Sequence, residues 1–174
     1  MKALKQFSIP FTGLKLGKHQ FEFDIDKRFF DAFEYSLVKD GNLKVKLELD
    51  KQETMLLLNF QIEGTLQLNC DTCLAEFAQP ITVKERQIVK FAEEELESDD
   101  LEIMTLSKKE SEIDVSSLIY EYITIAVPYV NKCEQAGQSC DQEMLSTLSK
   151  LASSDTEEEE KNDDPRWAAL KKLK

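Results

Sequence analysis

The sequence predicts an α+β fold in which an antiparallel β-sheet is covered by a few helices. Apolar and polar residues alternate over residues 43–50 and again over 56–70, a pattern typical of a sheet with one buried and one solvated face. Apolar residues then recur at helical spacing over 115–126 and 144–151. Together these two patterns indicate the fold class.

The first 41 residues are predicted to add two strands and one helix. Residues 4–14 form an irregular strand that ends near Gly13, and residues 19–26 alternate as a second strand. Asp26 is the expected N-cap of a helix that stops at Gly41. The apolar face of this helix would carry Phe29, Phe30, Phe33 and Leu37.

Two features interrupt the middle of the predicted sheet. Gly64 lies inside an alternating run, where it marks either a bulge or a turn. After Pro80 a further strand is expected over residues 81–91, with the charged Glu85 on its apolar face. The sheet pattern then stops, and residues 93–102 are predicted to be an exposed linker.

Two helices are predicted after this linker. Asp114 is the expected N-cap of the first, which ends near Pro128. Its apolar face would carry Val115, Leu118, Ile119, Tyr122 and Ala126. Asp141 begins the second. Its inward face would carry Met144, Leu145, Leu148 and Leu151.

The composition divides the chain into three parts. Residues 1–152 are predicted to form a single α+β domain. Residues 153–163 are rich in Ser, Asp and Glu and have nothing to bury, so we expect a disordered acidic tether. Residues 164–174 are predicted to form a short helix that is stable mainly when docked, with Pro165 at its first position.

Charge and hydropathy limit the classes of function. The formal net charge of −12 argues against general coating of nucleic acid. Both ends of the chain are basic, which allows local contact with RNA or serves solubility alone. The sequence has no apolar run near the roughly 20 residues that span a bilayer, and no signal peptide is evident. We therefore expect a cytoplasmic protein without a membrane partner.

The four cysteines are the clearest candidates for chemistry. In the cytoplasm they should stay reduced, which favours metal binding over disulfides. Cys70 and Cys73 are spaced for a tight turn, and Cys133 and Cys140 lie in a later loop that is free to fold back. Four thiolates would satisfy a structural zinc ion. A redox-active CxxC pair and buried cysteines without a metal are the alternatives at this stage.

No pattern in the sequence indicates an enzyme or a small-molecule substrate. There is no nucleophile elbow, phosphate-binding glycine loop or HExxH motif. The single histidine, His19, lies at the start of a strand without an evident catalytic partner. We therefore predict a non-enzymatic protein.

Three segments, in order, resemble the YceD family. They are LQLNCDTCL at 66–74, with Phe77 just after it; IDVSSLIYEYITIAVPYV at 113–130, followed by Cys133; and DPRWAALKKL at 164–173. Many members of that family carry further cysteines, with another close pair, after the proline of the second segment, whereas this chain has only Cys133 and Cys140 there.

This resemblance implies a non-enzymatic accessory factor in the accumulation and processing of large-subunit ribosomal RNA. Its partners would be precursor ribosomal RNA or ribosome-assembly proteins. The terminal helix would bind them through Arg166, Trp167, Leu170, Lys171 and Lys172. Trp167 would stack on a base, enter an apolar pocket or pack onto its own domain. The alternative function is an acidic adapter that binds a basic ribosomal protein or an RNA-processing enzyme.

Overall fold

The chain builds a five-stranded sheet and a two-stranded sheet. The computed structural model describes residues 4–92, 103–107 and 109–155. The strands are β1 (Ser8–Ile9), β2 (Gly17–Ile25), β3 (Asp40–Lys51), β4 (Met55–Asn69), β5 (Glu76–Ala92), β6 (Ile103–Ser107) and β7 (Ile113–Asp114). The larger sheet has the order β2-β3-β4-β5-β6, and the smaller sheet pairs β1 with β7. With the helices described below, this arrangement confirms the α+β fold class.

The large sheet is mixed, because β6 pairs in parallel with β5 whereas β2 to β5 are antiparallel neighbours. The sequence pattern had placed the end of the sheet before residue 93, so β6 was missed. β6 has only five residues, so its alternation of apolar and polar residues is too short to be recognised within the surrounding polar sequence. The predicted linker at 93–102 lies outside the described residues.

Gly64 marks a close approach between strands, and neither of the two predicted irregularities is present. It is paired with Leu43 on one side and Ile81 on the other, so the register of β4 is unbroken. Its φ of +152° is rare for residues with a side chain. A Cβ atom built at this position would lie 2.2 Å from the carbonyl oxygen of Asn42. Only glycine fits here without moving the backbone of β3.

Alternate residues of the strands point to one face, which forms the core. The buried set on β3 and β4 is Leu43, Val45, Leu47, Leu49, Leu56, Leu58, Phe60 and Ile62. Strand β5 continues this face and begins earlier than predicted, at Glu76 instead of residue 81, with Pro80 paired to Thr65. Glu85 is exposed at the position where it was expected to interrupt the apolar face.

The first helix is much shorter than predicted. Helix α1 spans Lys27–Phe30, and Gly41 lies in β3 instead of ending a helix. The cap was predicted correctly, because the backbone N–H of Arg28 donates to the Asp26 carboxylate at 2.9 Å. Beyond the helix, the Ser36 hydroxyl donates to the carbonyl of Val38, a local bond that competes with helix formation. Leu37 is consequently exposed, whereas Val38 enters the core.

Helix α2 (Ser116–Ile125) covers the inner face of the sheet, as its apolar spacing predicted. The N-cap residue is Val115 instead of the predicted Asp114, which lies one position earlier in β7 and accepts a hydrogen bond from the Ser116 backbone N–H at 2.8 Å. The ring of Tyr122 meets Phe60 edge-on, with centroids 5.3 Å apart. The Tyr122 hydroxyl donates to Gln87 on β5 at 3.0 Å, which joins the helix to the sheet.

Helix α3 (Gln142–Asp155) departs from the prediction. Asp141 caps it, since the backbone N–H of Glu143 donates to its carboxylate at 2.9 Å. The predicted inward face is largely solvated: Met144, Leu148 and Leu151 are exposed, and Leu145 is half-buried. The amphipathic spacing was correct, but within the described residues no element covers this face. The helix also extends into the first residues of the predicted tether.

In the part of the chain that the structure describes, no helix is long and apolar enough to cross a bilayer.

Candidate metal centre

The first cysteine pair lies in the turn that joins β4 to β5. The backbone N–H of Cys70 donates to the carbonyl of Ala75 at 2.9 Å, and that of Leu74 donates to the carbonyl of Cys70 at 2.8 Å. Leu74 adopts a left-handed conformation with φ of 60°, which closes the turn tightly. This backbone places the Cys70 and Cys73 side chains, both buried, at one end of the hairpin.

The second cysteine pair flanks a short turn between α2 and α3. Residues Cys133–Ala136 form one turn of 3₁₀-helix, which Gly137 ends with a left-handed φ of 71°. The backbone N–H of Gln138 then donates to the Cys133 carbonyl at 2.9 Å. Chain reversal at this glycine returns Cys140 toward Cys133, and the turn packs against β5.

A pair of hydrogen bonds fastens the second loop to the first turn. The backbone N–H of Asp71 donates to the carbonyl of Asn131 at 2.8 Å. The backbone N–H of Asn131 in turn donates to the Asp71 carboxylate at 2.7 Å. No pattern in the sequence indicated this contact, because neither residue belongs to a recognisable motif. Both loops are therefore positioned by bonds separate from the thiols.

The four sulfur atoms form one cluster. The Sγ atoms of Cys70 and Cys140 are 3.9 Å apart, and those of Cys73 and Cys133 are 3.7 Å apart. All four lie within 4.8 Å of one another. A tetrahedral centre with metal–sulfur bonds of about 2.3 Å requires sulfur separations of about 3.8 Å. The cluster fits that geometry, and the separations are well beyond a disulfide bond of about 2.05 Å.

The thiols of this cluster differ in acidity. The pKa of Cys70 is lowered to about 6, chiefly because the backbone N–H of Cys73 is directed at its sulfur. Burial raises the pKa of Cys133 to about 12, and the neighbouring thiols add to the effect. The pKa of Cys140 is raised for the same main reason. The backbone of the first turn is thus built to stabilise negative charge on sulfur.

The structure does not supply the setting of a redox CxxC pair. Such a pair normally lies at a helix N-terminus, whereas here β5 begins at Glu76, three residues after Cys73. Each thiol of the pair is buried and faces a thiol of the second loop. The geometry instead suits a soft metal ion held by four sulfurs.

The other predicted site residues lie outside the described residues. They are Arg166, Trp167, Leu170, Lys171 and Lys172. His19 is described, and its ring Nε2 hydrogen-bonds to the carbonyl oxygen of Lys15 at 2.8 Å.

The fold and the site together define an α+β protein in which a cluster of four thiols joins the sheet to the helical part. A family model, described as large ribosomal RNA subunit accumulation protein YceD, matches residues 58–174. This region is more than half of the chain and includes all four cysteines, so the chain belongs to the YceD family. No curated protein and no solved structure matches it.

Proposed function

We propose that this protein is a cytoplasmic, non-enzymatic accessory factor in the accumulation and processing of large-subunit ribosomal RNA and in ribosome assembly. The observation that carries this proposal is the family match, which runs from residue 58, near the start of β4, to residue 174. It includes the thiol cluster, helix α2 and the basic terminal segment.

The absence of catalysis is part of the proposal, and two contacts support it. His19, the only histidine of the chain, is engaged with a backbone carbonyl instead of a nucleophile. Tyr122, whose burial raises its pKa to about 12, donates to Gln87 on the sheet. Both groups have structural partners in place of a catalytic one.

We further propose that the thiol cluster holds zinc in a structural role. Four sulfur ligands at these separations suit tetrahedral zinc, which has no redox chemistry of its own. The ion would fasten the loop of Cys133 and Cys140 to the β4–β5 turn. Residues 131–140 would then be held rigidly, together with the start of α3.

The terminal segment is the proposed docking element. Arg166, Lys171 and Lys172 would contact phosphates, and Trp167 with Leu170 would supply an apolar anchor. The acidic residues before this segment would keep it away from non-specific polyanions.

Gradient sedimentation of the tagged protein from growing cells tests the proposal. Fractions are probed for the protein and for precursor ribosomal RNA. We expect co-migration with immature large subunits, and loss of that association when residues 164–174 are deleted. An intact protein confined to the top of the gradient would contradict the assembly role.

The acidic adapter is the second candidate, because 34 acidic residues against 22 basic ones suit a basic protein partner. Capture of partners from nuclease-treated lysate separates the two functions. A ribosomal protein or processing enzyme that stays bound after RNA removal favours the adapter.

A further inference from the structure

Three apolar side chains lie exposed at the end of the molecule that holds the thiol cluster. Leu74, in the β4–β5 turn, is 68% exposed, and Tyr129 and Val130 are exposed as well. Two hydrogen bonds join Asp71 to Asn131. They bring the two segments together, because Leu74 is three residues after the first of these residues and Val130 directly precedes the second. We call Leu74, Tyr129 and Val130 the tip patch.

The backbone of Leu74 gives a first reason to expect a binding role. Its φ of 60° is left-handed, and among the residues that the structure describes no other residue with a side chain has a positive φ. Glycine adopts this conformation without the steric cost that leucine bears. Burial does not offset that cost, since most of the leucine side chain is in contact with solvent. A leucine at this position is therefore better explained by contact with a partner than by the stability of the turn.

The tip patch is held in place before any partner binds. The Leu74 N–H closes the β4–β5 turn with a hydrogen bond of 2.8 Å, and the Asp71 N–H joins that turn to Asn131 at 2.8 Å. The Sγ atoms of Cys73 and Cys133, one from each segment, are 3.7 Å apart. A surface fixed in this way loses little conformational entropy on binding, and the tyrosine side chain has few rotatable bonds to immobilise.

The charge around the tip patch is strongly negative. Residues 70–77 and 126–143, the two segments that hold the cysteines, contain one basic residue, Lys132. They contain five acidic residues, all of them exposed: Asp71, Glu76, Glu134, Asp141 and Glu143. None of these acids has an ion pair among the described residues. On the β3 side of this end, a hollow beside Gln67 holds two bases and two acids, so it adds no net charge.

Exposed apolar anchors inside an acidic rim fit a basic protein segment that has an apolar residue of its own. The Lys and Arg side chains of such a segment would lie near the acids, and its apolar residue would pack against the leucine and the tyrosine. The same acids would repel the phosphates of RNA, which disfavours a contact between the tyrosine ring and a nucleotide base. The charge therefore selects a protein partner.

We propose that the tip patch binds a basic protein during ribosome assembly, through an apolar residue of that protein flanked by Lys or Arg. This inference rests on the proposed function and adds to it a protein-binding surface on the folded domain, separate from the terminal segment.

The test is protein binding by the full-length wild type and by a variant that combines Leu74→Gly with Tyr129→Ala. The probe is the set of basic proteins extracted from purified large ribosomal subunits and freed of RNA, and the Kd is measured for each protein that binds. We expect at least one of them to bind the wild type, and the variant to bind it at least roughly tenfold more weakly. Binding to the wild type should also weaken as salt rises from roughly 0.1 to 0.5 M, because the rim is charged.

The stability of Leu74→Gly alone separates a contact surface from a packing role. Glycine suits a φ of 60°, so the unfolding temperature should not fall by more than about 2 °C. The metal content, measured in parallel, should equal that of the wild type. A larger fall in unfolding temperature would overturn the inference, because the leucine would then stabilise the turn itself.

A matched control removes exposed apolar side chains from the opposite end of the large sheet. Leu16 directly precedes β2 and Met104 lies opposite Val89, both at the end of the sheet where β3 meets β4. The combined control, Leu16→Ala with Met104→Ala, should bind the same basic proteins within about twofold of the wild type. Equal binding by the wild type and the tip-patch variant, or no binding of these proteins by the wild type, would overturn the inference.

Three other outcomes would overturn the inference by revealing a different occupant. A transcribed precursor of large-subunit ribosomal RNA that binds the wild type but not the tip-patch variant would identify RNA. A concentration-dependent dimer that forms only in the wild type would identify a second copy of the chain. A shift to longer wavelength in the fluorescence of Trp167, the only tryptophan, in the tip-patch variant would identify the terminal segment of the same chain.

The gradient experiment distinguishes this inference from the proposed function. A protein that co-sediments with large-subunit precursors but binds none of the basic proteins overturns the tip-patch inference and leaves the assembly role in place. A protein that stays at the top of the gradient but binds a basic protein through the tip patch contradicts the assembly role and supports the binding surface.

Discussion

At the scale of single residues, the sequence can reveal that a position is unusual without revealing the structural cause. Gly64 was recognisable as an irregularity inside an alternating run, but its cause lies in a neighbouring strand. The crowding comes from the backbone of Asn42 and Leu43, about 20 residues away in sequence. Such an approach depends on the register of two strands, which local pattern does not contain.

Gly64→Ala should therefore destabilise the protein. The added Cβ meets the Asn42 carbonyl, and φ is unfavourable for alanine, so we expect a loss of about 2–4 kcal/mol in the free energy of unfolding. Urea denaturation measures this loss. Gly13→Ala is the control: a Cβ there has no neighbour within 4 Å, and the change should be about 0.5 kcal/mol or less. Equal stability of the two variants would contradict the proposed crowding.

Tyr122 should make stability depend on alkaline pH. Burial raises its pKa from 10.0 to about 12, so the folded state keeps a proton that the unfolded state loses above pH 10. Its stabilising contribution is present below pH 10 and is lost as pH rises toward 12. Because the side chain is only half-buried, we expect a loss on the order of 1 kcal/mol.

The measurement is the free energy of unfolding of the wild type and of Tyr122→Phe between pH 9.5 and 11.5. Tyr122→Phe should be less stable at neutral pH by about 1 kcal/mol, because it loses the hydrogen bond to Gln87. Its free energy of unfolding should also decrease less steeply than that of the wild type as pH rises. Tyr35→Phe, at an 86% exposed position, should keep the wild-type slope. Identical slopes for all three proteins would exclude the linkage to Tyr122.

At the scale of elements, the strands were the most predictable part. The alternation over 43–50 and 56–70 corresponds to β3 and β4, because burial of one face imposes a period of two. The helices were predicted at their starts better than over their lengths. Asp26 and Asp141 each accept a backbone hydrogen bond from the first turn of their helices, and Asp114 accepts one from a position just before the α2 cap, Val115. A cap depends on one side chain, whereas the length of a helix also depends on the elements that pack against it.

Helix α3 illustrates that limit, and it should contribute little to the stability of the isolated protein. Leu148 is 44% exposed, so Leu148→Ala should cost about 0.5 kcal/mol or less. Ile119→Ala in α2 removes a fully buried side chain and should cost about 2–5 kcal/mol. Chemical denaturation compares the two. A cost above about 1 kcal/mol for Leu148→Ala would show that α3 packs against other residues in solution.

At the scale of the whole molecule, the sequence predicted the members of the candidate site but not how they meet. The spacing of Cys70 and Cys73 indicated a tight turn, and the turn is present. The return of Cys133 and Cys140 to it depends on the Asp71–Asn131 contact and the Gly137 turn. Those are long-range and backbone features, which composition and spacing do not reveal.

Removal of metal should lower the stability of the whole protein. A ligand present at about a thousand times its Kd stabilises the folded state by about 4 kcal/mol. For a chain of this size, that corresponds to a fall in unfolding temperature of roughly 8–16 °C after chelation. The sheet retains its own apolar core, so we expect the chelated protein to stay folded at room temperature. Calorimetry with and without a chelator tests this, alongside elemental analysis for one zinc per chain.

Cys73→Ser and Cys133→Ser should each abolish tight zinc binding, because either change leaves three sulfur ligands. Ser139→Ala, at an exposed position next to Cys140, is the control and should keep the metal. Full zinc content in both cysteine variants would rule out the four-thiol site.

The distance between the two cysteine pairs along the chain also sets an order of events during synthesis. Strands β2 to β5 are consecutive neighbours, so their hairpins can pair as soon as they leave the ribosome. The partners of Cys70 and Cys73 are encoded 70 and 60 residues later. At about 5–20 residues per second, 60 residues take roughly 3–12 s to translate. The nascent sheet therefore presents a bare dithiol for seconds, and closure of the thiol cluster is among the last steps in maturation of the domain.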